Sequence, residues 1–386
     1  MNKIDKDGIN QLIDTNQSFA IWREPNDSVF HFVMQDAKKA LLCSHDISDF
    51  DSIEGFVIAP FDLAKHPAVI IQTDYTEYPI KKESTDTRAM NLHGDSCLTS
   101  KIETDLSRDE DFMEDTVDDN FSDFTRTFKL VKQSLKEGID KIVLAHQFIY
   151  NRPDSFSPAE VFFRACSQHP SAYVHLSNTP ISGTWIGATP ELLLDSEANS
   201  SEYHTMALAG TQLISSHDDI DTWNEQDISL HWDAKNVKEH KIVSKFISDK
   251  LMAYQGIESF RQLKPRTVRA GHLAHLQTQF DFRLPPNSSI GNLAMTLYPT
   301  PAVCGMPQAA ANEAIKRAEQ LDRGYYAGFV GYKGASRCQF MVNLRCMNIQ
   351  AHEIRLWAGG GILPSSKLEN EFREVELKKQ IMRQLW

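Results

Sequence analysis

The chain has 386 residues, of which 41% are hydrophobic and 24% are charged, and its formal net charge is −12 at pH 7. Such a composition is typical of a globular protein with a substantial core. The acidic balance argues against nucleic acid or an anionic membrane as a partner, because both attract clustered Lys and Arg. Apolar runs are too short for a transmembrane helix, and the polar first 17 residues lack a secretory signal. The six cysteines have no CxxC spacing, which indicates reduced thiols. We therefore expect a cytoplasmic protein.

Short apolar runs separated by turn residues predict strands in the first 80 residues. They lie at 19–22, 29–34, 55–60 and 69–72. Residues 81–120 are polar and acidic and are predicted to be a linker, with an acidic docking segment as the alternative. We expect a strand-rich portion at 1–120 and a catalytic region at 121–386 that together form one fold.

Longer periodic segments follow. A helix is predicted at 124–136 with Gly138 as its C-cap, and another begins at the N-cap Ser157 with Pro158 in its first turn. Further helices are predicted at 233–252 and 367–386. Strands are predicted at 141–150, 172–176, 184–188, 192–195, 203–209, 329–332, 339–344 and 353–358. Many strands, several without helices between them, together with long helices elsewhere, predict an α+β protein.

Three glutamates lie on the packing faces of two predicted helices. Glu371 and Glu374 share one face of the last helix, and Glu239 precedes the apolar stripe of the helix at 233–252. A buried carboxylate requires an ion pair or a cation, and Mg²⁺ prefers hard oxygen ligands. The pattern favours a magnesium site, and an ion pair at a helix end is the alternative for each glutamate.

Two ionisable residues begin predicted strands. Lys141 is either a charged residue at a sheet edge or a desolvated amine that acts as a base. Glu191 is either a surface charge at a strand end or a carboxylic acid that apolar neighbours keep protonated. Glycines at 210 and at 359–361 would let the backbone approach a ligand closely.

In chain order, these residues resemble the chorismate-utilising enzymes, a family that includes isochorismate, salicylate, anthranilate and aminodeoxychorismate synthases. The resemblance covers about two thirds of the chain. The matching stretches are 141–145, 188–192, 208–211, 238–240, 275–276, 299–305, 326–328, 344–345, 359–362 and 366–378.

The resemblance implies a single large domain with a sheet-on-sheet core flanked by helices. It implies that Glu239 and Glu374 bind Mg²⁺ directly and that Glu371 lies one water further out. It also implies a set of residues around the substrate: Ala209, Gly210, Thr211, His275, Tyr326, Arg345, Gly359, Gly360, Gly361 and Lys378.

Two positions indicate which reaction the resemblance implies. Lys141 matches the water-activating base of isochorismate and salicylate synthases, and Ala209 stands where aminodeoxychorismate synthases have a nucleophilic lysine. We therefore expect Mg²⁺-dependent isochorismate synthesis, in which Lys141 activates water for attack at C2 and Glu191 protonates the departing C4 hydroxyl. Salicylate synthase is the alternative; an aminating synthase and an inactive binding homologue are less favoured.

The same resemblance implies a monomer that acts on chorismate without an amidotransferase partner, and menaquinone and siderophore synthesis both fit its product. Three residues depart from the family pattern. They are Asn236 in place of an acidic residue, His146 in place of Arg and Tyr298 in place of His.

Overall fold

The computed structural model describes residues 6–76, 120–196, 200–214, 231–270, 273–285, 288–334 and 337–386. Apart from Asn120, the predicted acidic linker lies outside these residues. Seven α-helices are found in the described parts: α1 Lys6–Asp14, α2 Asn120–Ser134, α3 Pro158–Gln168, α4 Ala234–Ala253, α5 Ile290–Leu297, α6 Gln308–Glu319 and α7 Leu368–Arg383. None of them is long and apolar enough to cross a membrane.

Strands occupy most of the remaining described chain. In the first half they are β1 Phe19–Arg23, β2 Phe30–Met34, β3 Leu42–Ser44, β4 Gly55–Ala59, β5 Ala68–Gln72, β6 Tyr75–Thr76, β7 Lys141–Asn151, β8 Tyr173–Thr179 and β9 Gly183–Thr189. In the second half they are β10 Leu192–Ser196, β11 Glu202–Leu213, β12 Ser259–Gln262, β13 Arg266–Ala270, β14 Leu273–Arg283, β15 Gly305–Met306, β16 Phe329–Lys333, β17 Cys338–Val342, β18 Cys346–Ile349 and β19 Glu353–Ile362.

The strands form two large antiparallel sheets. The first has the order β15-β7-β19-β18-β9-β8-β1-β2-β6, and the second has the order β12-β14-β11-β10-β17-β16-β4-β5-β3, with β13 also paired to β14. The described N-terminal strands are divided between them, since β1, β2 and β6 belong to the first sheet and β3, β4 and β5 to the second. Both sheets therefore combine strands that precede residues 77–119 with strands that follow them.

Side-chain alternation divides the core into two layers. In β1, Ala20 and Trp22 point towards the second sheet and pack in a cluster that includes Phe56 of β4. Phe19 and Ile21 point the other way, towards a layer of helices. That layer contains buried residues of α1, α2, α3, α6 and α7. The predicted sheet-on-sheet core flanked by helices is confirmed.

Local signals predicted several element ends correctly. The Ser157 hydroxyl accepts a hydrogen bond from the Glu160 amide at the start of α3, and Gly138 adopts a left-handed conformation with φ of 92° before β7. The strand predicted at 353–358 instead continues through the glycines to Ile362, because these residues pair with β7. Ten elements were not predicted at all: α1, α5, α6, β3, β6, β12, β13, β14, β15 and β18.

Candidate active site

A cleft lies between the two sheets, at the start of β7 and the end of β19. Twelve of the fifteen predicted site residues line it. They are Glu191, Ala209, Gly210, Thr211, Glu239, His275, Tyr326, Arg345, Gly359, Gly360, Gly361 and Lys378. The three others are not on its surface. Lys141 lies beneath Glu239 and Gly361, whereas Glu371 and Glu374 lie on the other side of β19, next to Gly360.

Lys141 is fully buried, and the sheet-edge interpretation of this residue is wrong. Its strand β7 pairs with β19 at residues 142–151 on one side and with β15 at residues 141 and 142 on the other. The Lys141 Nζ atom lies 2.9 Å from Glu239 Oε1, so the ammonium is compensated by an ion pair. A buried lysine in an interior strand requires such a partner.

Gly361 leaves the space that this ion pair occupies. A Cβ atom at position 361 would lie 2.0 Å from Glu239 Oε1 and 2.7 Å from Lys141 Cε. Any side chain here would therefore displace the ion pair. Gly360 lies similarly before the other two carboxylates, since its Cβ would be 3.7 Å from Glu371 Oε2 and 3.8 Å from Glu374 Oε1. Gly360 thus forms a thin wall between the cleft and the carboxylates of Glu371 and Glu374.

Glu191 is buried on the cleft wall, immediately before β10, so the surface-charge interpretation of this residue is wrong. Burial raises the pKa of its carboxyl group to about 7, although the positive charges of Lys141 and Lys378 oppose this shift. Thr300, which the sequence did not single out, also hydrogen-bonds to it. At neutral pH a large fraction of Glu191 is therefore protonated and able to donate a proton.

Arg345 and His275 form a hydrogen-bonded pair beside the cleft. An Arg345 Nη2 atom lies 2.6 Å from His275 Nε2, and His275 Nδ1 lies 3.2 Å from the Gly210 carbonyl. Burial and the nearby arginine hold the pKa of His275 well below its usual value, so the ring is neutral. These partners indicate that Nδ1–H donates to Gly210 while Nε2 accepts from Arg345. Burial also lowers the pKa of Arg345 to about 10, which leaves it charged.

Lys378 and Tyr326 both approach Gly359. Lys378 Nζ donates to the Gly359 carbonyl at 2.9 Å and contacts Glu374 Oε1 at 2.8 Å. The Tyr326 ring stacks on Trp357 with centroids 5.2 Å apart, and its hydroxyl would lie 2.8 Å from a Cβ at position 359. Gly359 therefore allows the Tyr326 hydroxyl to approach the strand.

A bulge in β11 shapes the opposite wall of the cleft. The pairing with β14 shifts register between Ala209 and Thr211, and Gly210 has φ of 80°. The Thr211 amide donates to Asn236 Oδ1 at 3.0 Å. Asn236, which stands where the family has an acidic residue, thus fixes the bulge through its amide oxygen. Unlike an acidic residue, it adds no negative charge beside Glu239.

The carboxylates of Glu239, Glu371 and Glu374 face one lysine that the sequence did not single out. Lys235 Nζ, in the first turn of α4, lies 2.9 Å from Glu371 Oε1, 4.0 Å from Glu239 Oε2 and 3.9 Å from Glu374 Oε2. Burial raises the pKa of Glu371, and Lys235 partly offsets this. Among the described residues, no group of three or more acidic, histidine or cysteine side chains is placed so that it could hold a metal ion. All three carboxylates nevertheless lie within 4.0 Å of the Lys235 ammonium, although Lys141 and Lys378 are the closer partners of Glu239 and Glu374.

The two other departures lie in packed surroundings. His146 is buried against Phe124 and Phe148, and burial lowers its pKa to about 4. Tyr298 donates from its hydroxyl to the Ala327 carbonyl at 2.7 Å. Both rings therefore support the structure behind the cleft. Other lining residues that were not predicted contribute mainly apolar surface: Val143, Pro190, Leu208, Ala302, Val303, Leu344, Trp357 and Ala358.

Comparison with known proteins agrees with this site. Residues 68–385 match the family model described as chorismate binding enzyme. The isochorismate synthase EntC of Escherichia coli K12 is 28% identical over 245 residues, which are 63% of this chain and 61% of EntC. The isochorismate synthase MenF of Haemophilus influenzae is 30% identical over 63% of this chain and 56% of its own length. The matches thus span less than two thirds of these curated relatives.

Solved structures extend the likeness to the whole fold. The structure of a 2,3-dihydroxybenzoate-specific isochorismate synthase, DhbC, from Bacillus anthracis has a TM-score of 0.77 at 22% identity, and the match covers 97% of this chain and 98% of DhbC. At this identity the likeness establishes the fold. Because the family model matches most of the sequence, including every predicted site residue, the chain belongs to the chorismate binding enzymes.

Proposed function

We propose that this protein is an isochorismate synthase, which converts chorismate to isochorismate by adding water at C2 and releasing the C4 hydroxyl. The observation that carries the proposal is Glu191, a buried carboxylic acid with a pKa of about 7 on the wall of the cleft. The C4 hydroxyl is a poor leaving group unless it is protonated, and an acid poised near neutral pH suits that task.

The surroundings of Glu191 suit a substrate with carboxylate groups. Arg345 presents a planar guanidinium that can donate two parallel hydrogen bonds to a carboxylate. The neutral His275 ring holds this guanidinium in place at 2.6 Å. Lys378 also lines the cleft, where its ammonium is paired with Glu374 at 2.8 Å.

In the proposed reaction, Lys141 removes a proton from the attacking water, while the Glu191 proton passes to the departing C4 hydroxyl. The oxygen lost at C4 leaves as water, and the ring double bond shifts. Lys141 is paired with Glu239 at 2.9 Å, so its amine becomes available as a base only when this ion pair is broken. Ala209 leaves no side-chain nucleophile at its position on the wall, which favours water as the attacking group.

Magnesium is part of the proposal. Glu239 and Glu374 would hold it, with Glu371 one water further out. The donor set fits, because hard carboxylate oxygens suit Mg²⁺ and all three groups already face one cation, the Lys235 ammonium. When bound, the ion supplies positive charge that neutralises the substrate's ring carboxylate and the nearby glutamates.

The names of the relatives support the proposal at the level of the whole reaction. We further propose that the protein acts as a cytoplasmic monomer and needs no amidotransferase subunit. The test is incubation of the purified protein with chorismate and Mg²⁺, with and without ammonia, followed by chromatographic separation of the products. Isochorismate as the stable product supports the proposal. Salicylate with pyruvate, an aminated product that requires ammonia, or unchanged chorismate would each contradict it.

A further inference from the structure

Strand β7, which begins with Lys141, has one incompletely paired edge. On that edge β15 pairs only with residues 141 and 142, and the Cys304 carbonyl accepts from the Val143 amide at 2.8 Å. Beyond this point no neighbouring strand in the described chain continues along the edge. The Val143 carbonyl and the Ala145 amide, which follow on the same edge, would be left without partners in a buried position.

A buried ion pair supplies the missing partners. Arg323 Nη2 donates to the Val143 carbonyl at 2.8 Å, and Glu319 Oε1 accepts from the Ala145 amide at 2.8 Å. The two side chains also bind each other, with Arg323 Nε 2.8 Å from Glu319 Oε2. Both are almost fully buried. One donor and one acceptor thus continue the hydrogen-bonding pattern of a strand along β7.

The same guanidinium binds the loop opposite β7. Arg323 Nη1 donates to the Val303 carbonyl at 2.8 Å. Val303 lies in the loop between Thr300 and β15, and it lines the cleft. Val143 lines the cleft as well. Arg323 therefore joins two walls of the cleft. One is Val143, on the strand that begins with Lys141, and the other is Val303, three residues after Thr300, which bonds to Glu191.

We propose that Arg323 and Glu319 are positioning residues, which replace a neighbouring strand along β7 and thereby fix Lys141 relative to the loop that contacts Glu191. The inference rests on the proposed isochorismate synthesis, because it assigns the pair to alignment of that base and acid. Neither residue lines the cleft. Their effect on the reaction is therefore transmitted through the backbone of β7 and of the loop.

The test compares two arginines with the same kind of bonding. Arg323→Lys keeps a positive charge beside Glu319, but an ammonium lacks the planar fork that spans Glu319, Val143 and Val303. Arg23→Lys is the matched control. Arg23 is also buried and donates to backbone carbonyls, including those of His169 and Ala172, but it does not line or adjoin the cleft.

Three quantities are measured for both variants of the full-length protein: kcat and KM for chorismate at saturating Mg²⁺, the melting temperature, and hydrogen–deuterium exchange of the Ala145 amide without substrate. For Arg323→Lys we expect kcat to fall by about 10- to 100-fold with KM changed less than about threefold, because small misplacements of reacting groups slow the chemical step. We also expect the Ala145 amide to exchange at least about tenfold faster. Arg23→Lys should lower the melting temperature comparably while leaving kcat and Ala145 exchange unchanged.

A second variant separates alignment from charge. In Arg323→Ala, added guanidinium should restore part of kcat, whereas the same concentration of NaCl should not, because only the planar cation can bridge the two backbone carbonyls. A wild-type kcat in Arg323→Lys, an equal loss of kcat in Arg23→Lys, or unchanged Ala145 exchange would overturn the inference. If the wild type fails to convert chorismate, the proposed function falls, and the exchange of Ala145 alone then decides whether the pair holds β7.

Discussion

Replacement of Glu191 by Gln tests the proton donor through both activity and stability. Glutamine has nearly the same shape as glutamic acid but cannot transfer a proton. General acid catalysis typically contributes about 10²–10⁴-fold, so we expect kcat/KM for chorismate to fall within that range. Glu160→Gln, on the exposed face of α3, is the control and should keep wild-type activity.

The pH dependence of the wild type follows from the same group. The acid must be protonated in the free enzyme, and its pKa is raised from 4.5 to about 7, mainly by burial. The kcat/KM of the wild type should therefore fall about tenfold per pH unit above roughly pH 7. Glu191→Gln should lose this alkaline limb, because its residual rate no longer depends on a proton from residue 191.

Stability gives a second measure of the same pKa. A carboxyl group that binds its proton more tightly when folded stabilises the protein fully below the unfolded pKa, and this contribution is lost as the pH rises through the folded pKa. The difference between 4.5 and about 7 corresponds to about 3 kcal/mol in the free energy of unfolding. Relative to Glu191→Gln, the wild type should therefore lose about 2–3 kcal/mol between pH 5 and pH 8.

Urea unfolding of both proteins at several pH values provides this comparison, and groups that titrate equally in both cancel in the difference. The reasoning is refuted if the difference in unfolding free energy between the two proteins stays constant from pH 5 to pH 8 while the wild type also keeps full activity above pH 7. Such a result would mean that Glu191 is ionised in the folded protein and cannot be the acid.

Three further predictions concern the base and the carboxylates. Lys141→Ala should abolish turnover while calorimetry still detects chorismate binding, and the exposed Lys136→Ala should behave as the wild type; near-normal rates in the first variant would exclude Lys141 as the base. EDTA should remove activity and added Mg²⁺ should restore it, whereas full activity in chelator would make the carboxylates structural. Lys235→Met should tighten Mn²⁺ binding by about tenfold or more, because it removes a competing cation beside Glu371. Electron paramagnetic resonance measures this binding, and unchanged or weaker binding would show that the lysine does not compete.

The sequence predicted best what depends on neighbours along the chain. The Ser157 cap, the Gly138 turn and the period of α7 are local signals, and each appears in the structure at or near the expected residue. The resemblance to a known family added the residues of the cleft, of which twelve lie on its surface. Even so, the sequence could not show that Lys141 is buried in an ion pair with Glu239 beside Gly361, because that depends on the pairing of β7 with β19.

Non-local pairing explains most of what was missed. Lys141 was compatible with a sheet edge because its partner β15 lies more than 160 residues later and is only two residues long. Strand β14 is an exception, because Phe280 and Phe282 are buried on one face with polar residues between them, and this local alternation is itself a strand signal. Helix α6 follows Pro307 and begins without a side-chain cap, so it lacks the usual start signal.

The charges around the cleft explain how an acidic protein can bind a dianion such as chorismate. Lys141, Lys235 and Lys378 each contact one or more of the three glutamates, so these lysines balance the carboxylates. Arg345, which also lines the cleft, instead faces the neutral ring of His275, so the charge of the arginine is available to the substrate. One uncompensated positive charge cannot balance two carboxylates in a buried site. The proposed magnesium ion would supply the remaining charge, and binding of chorismate and of the metal should therefore strengthen each other.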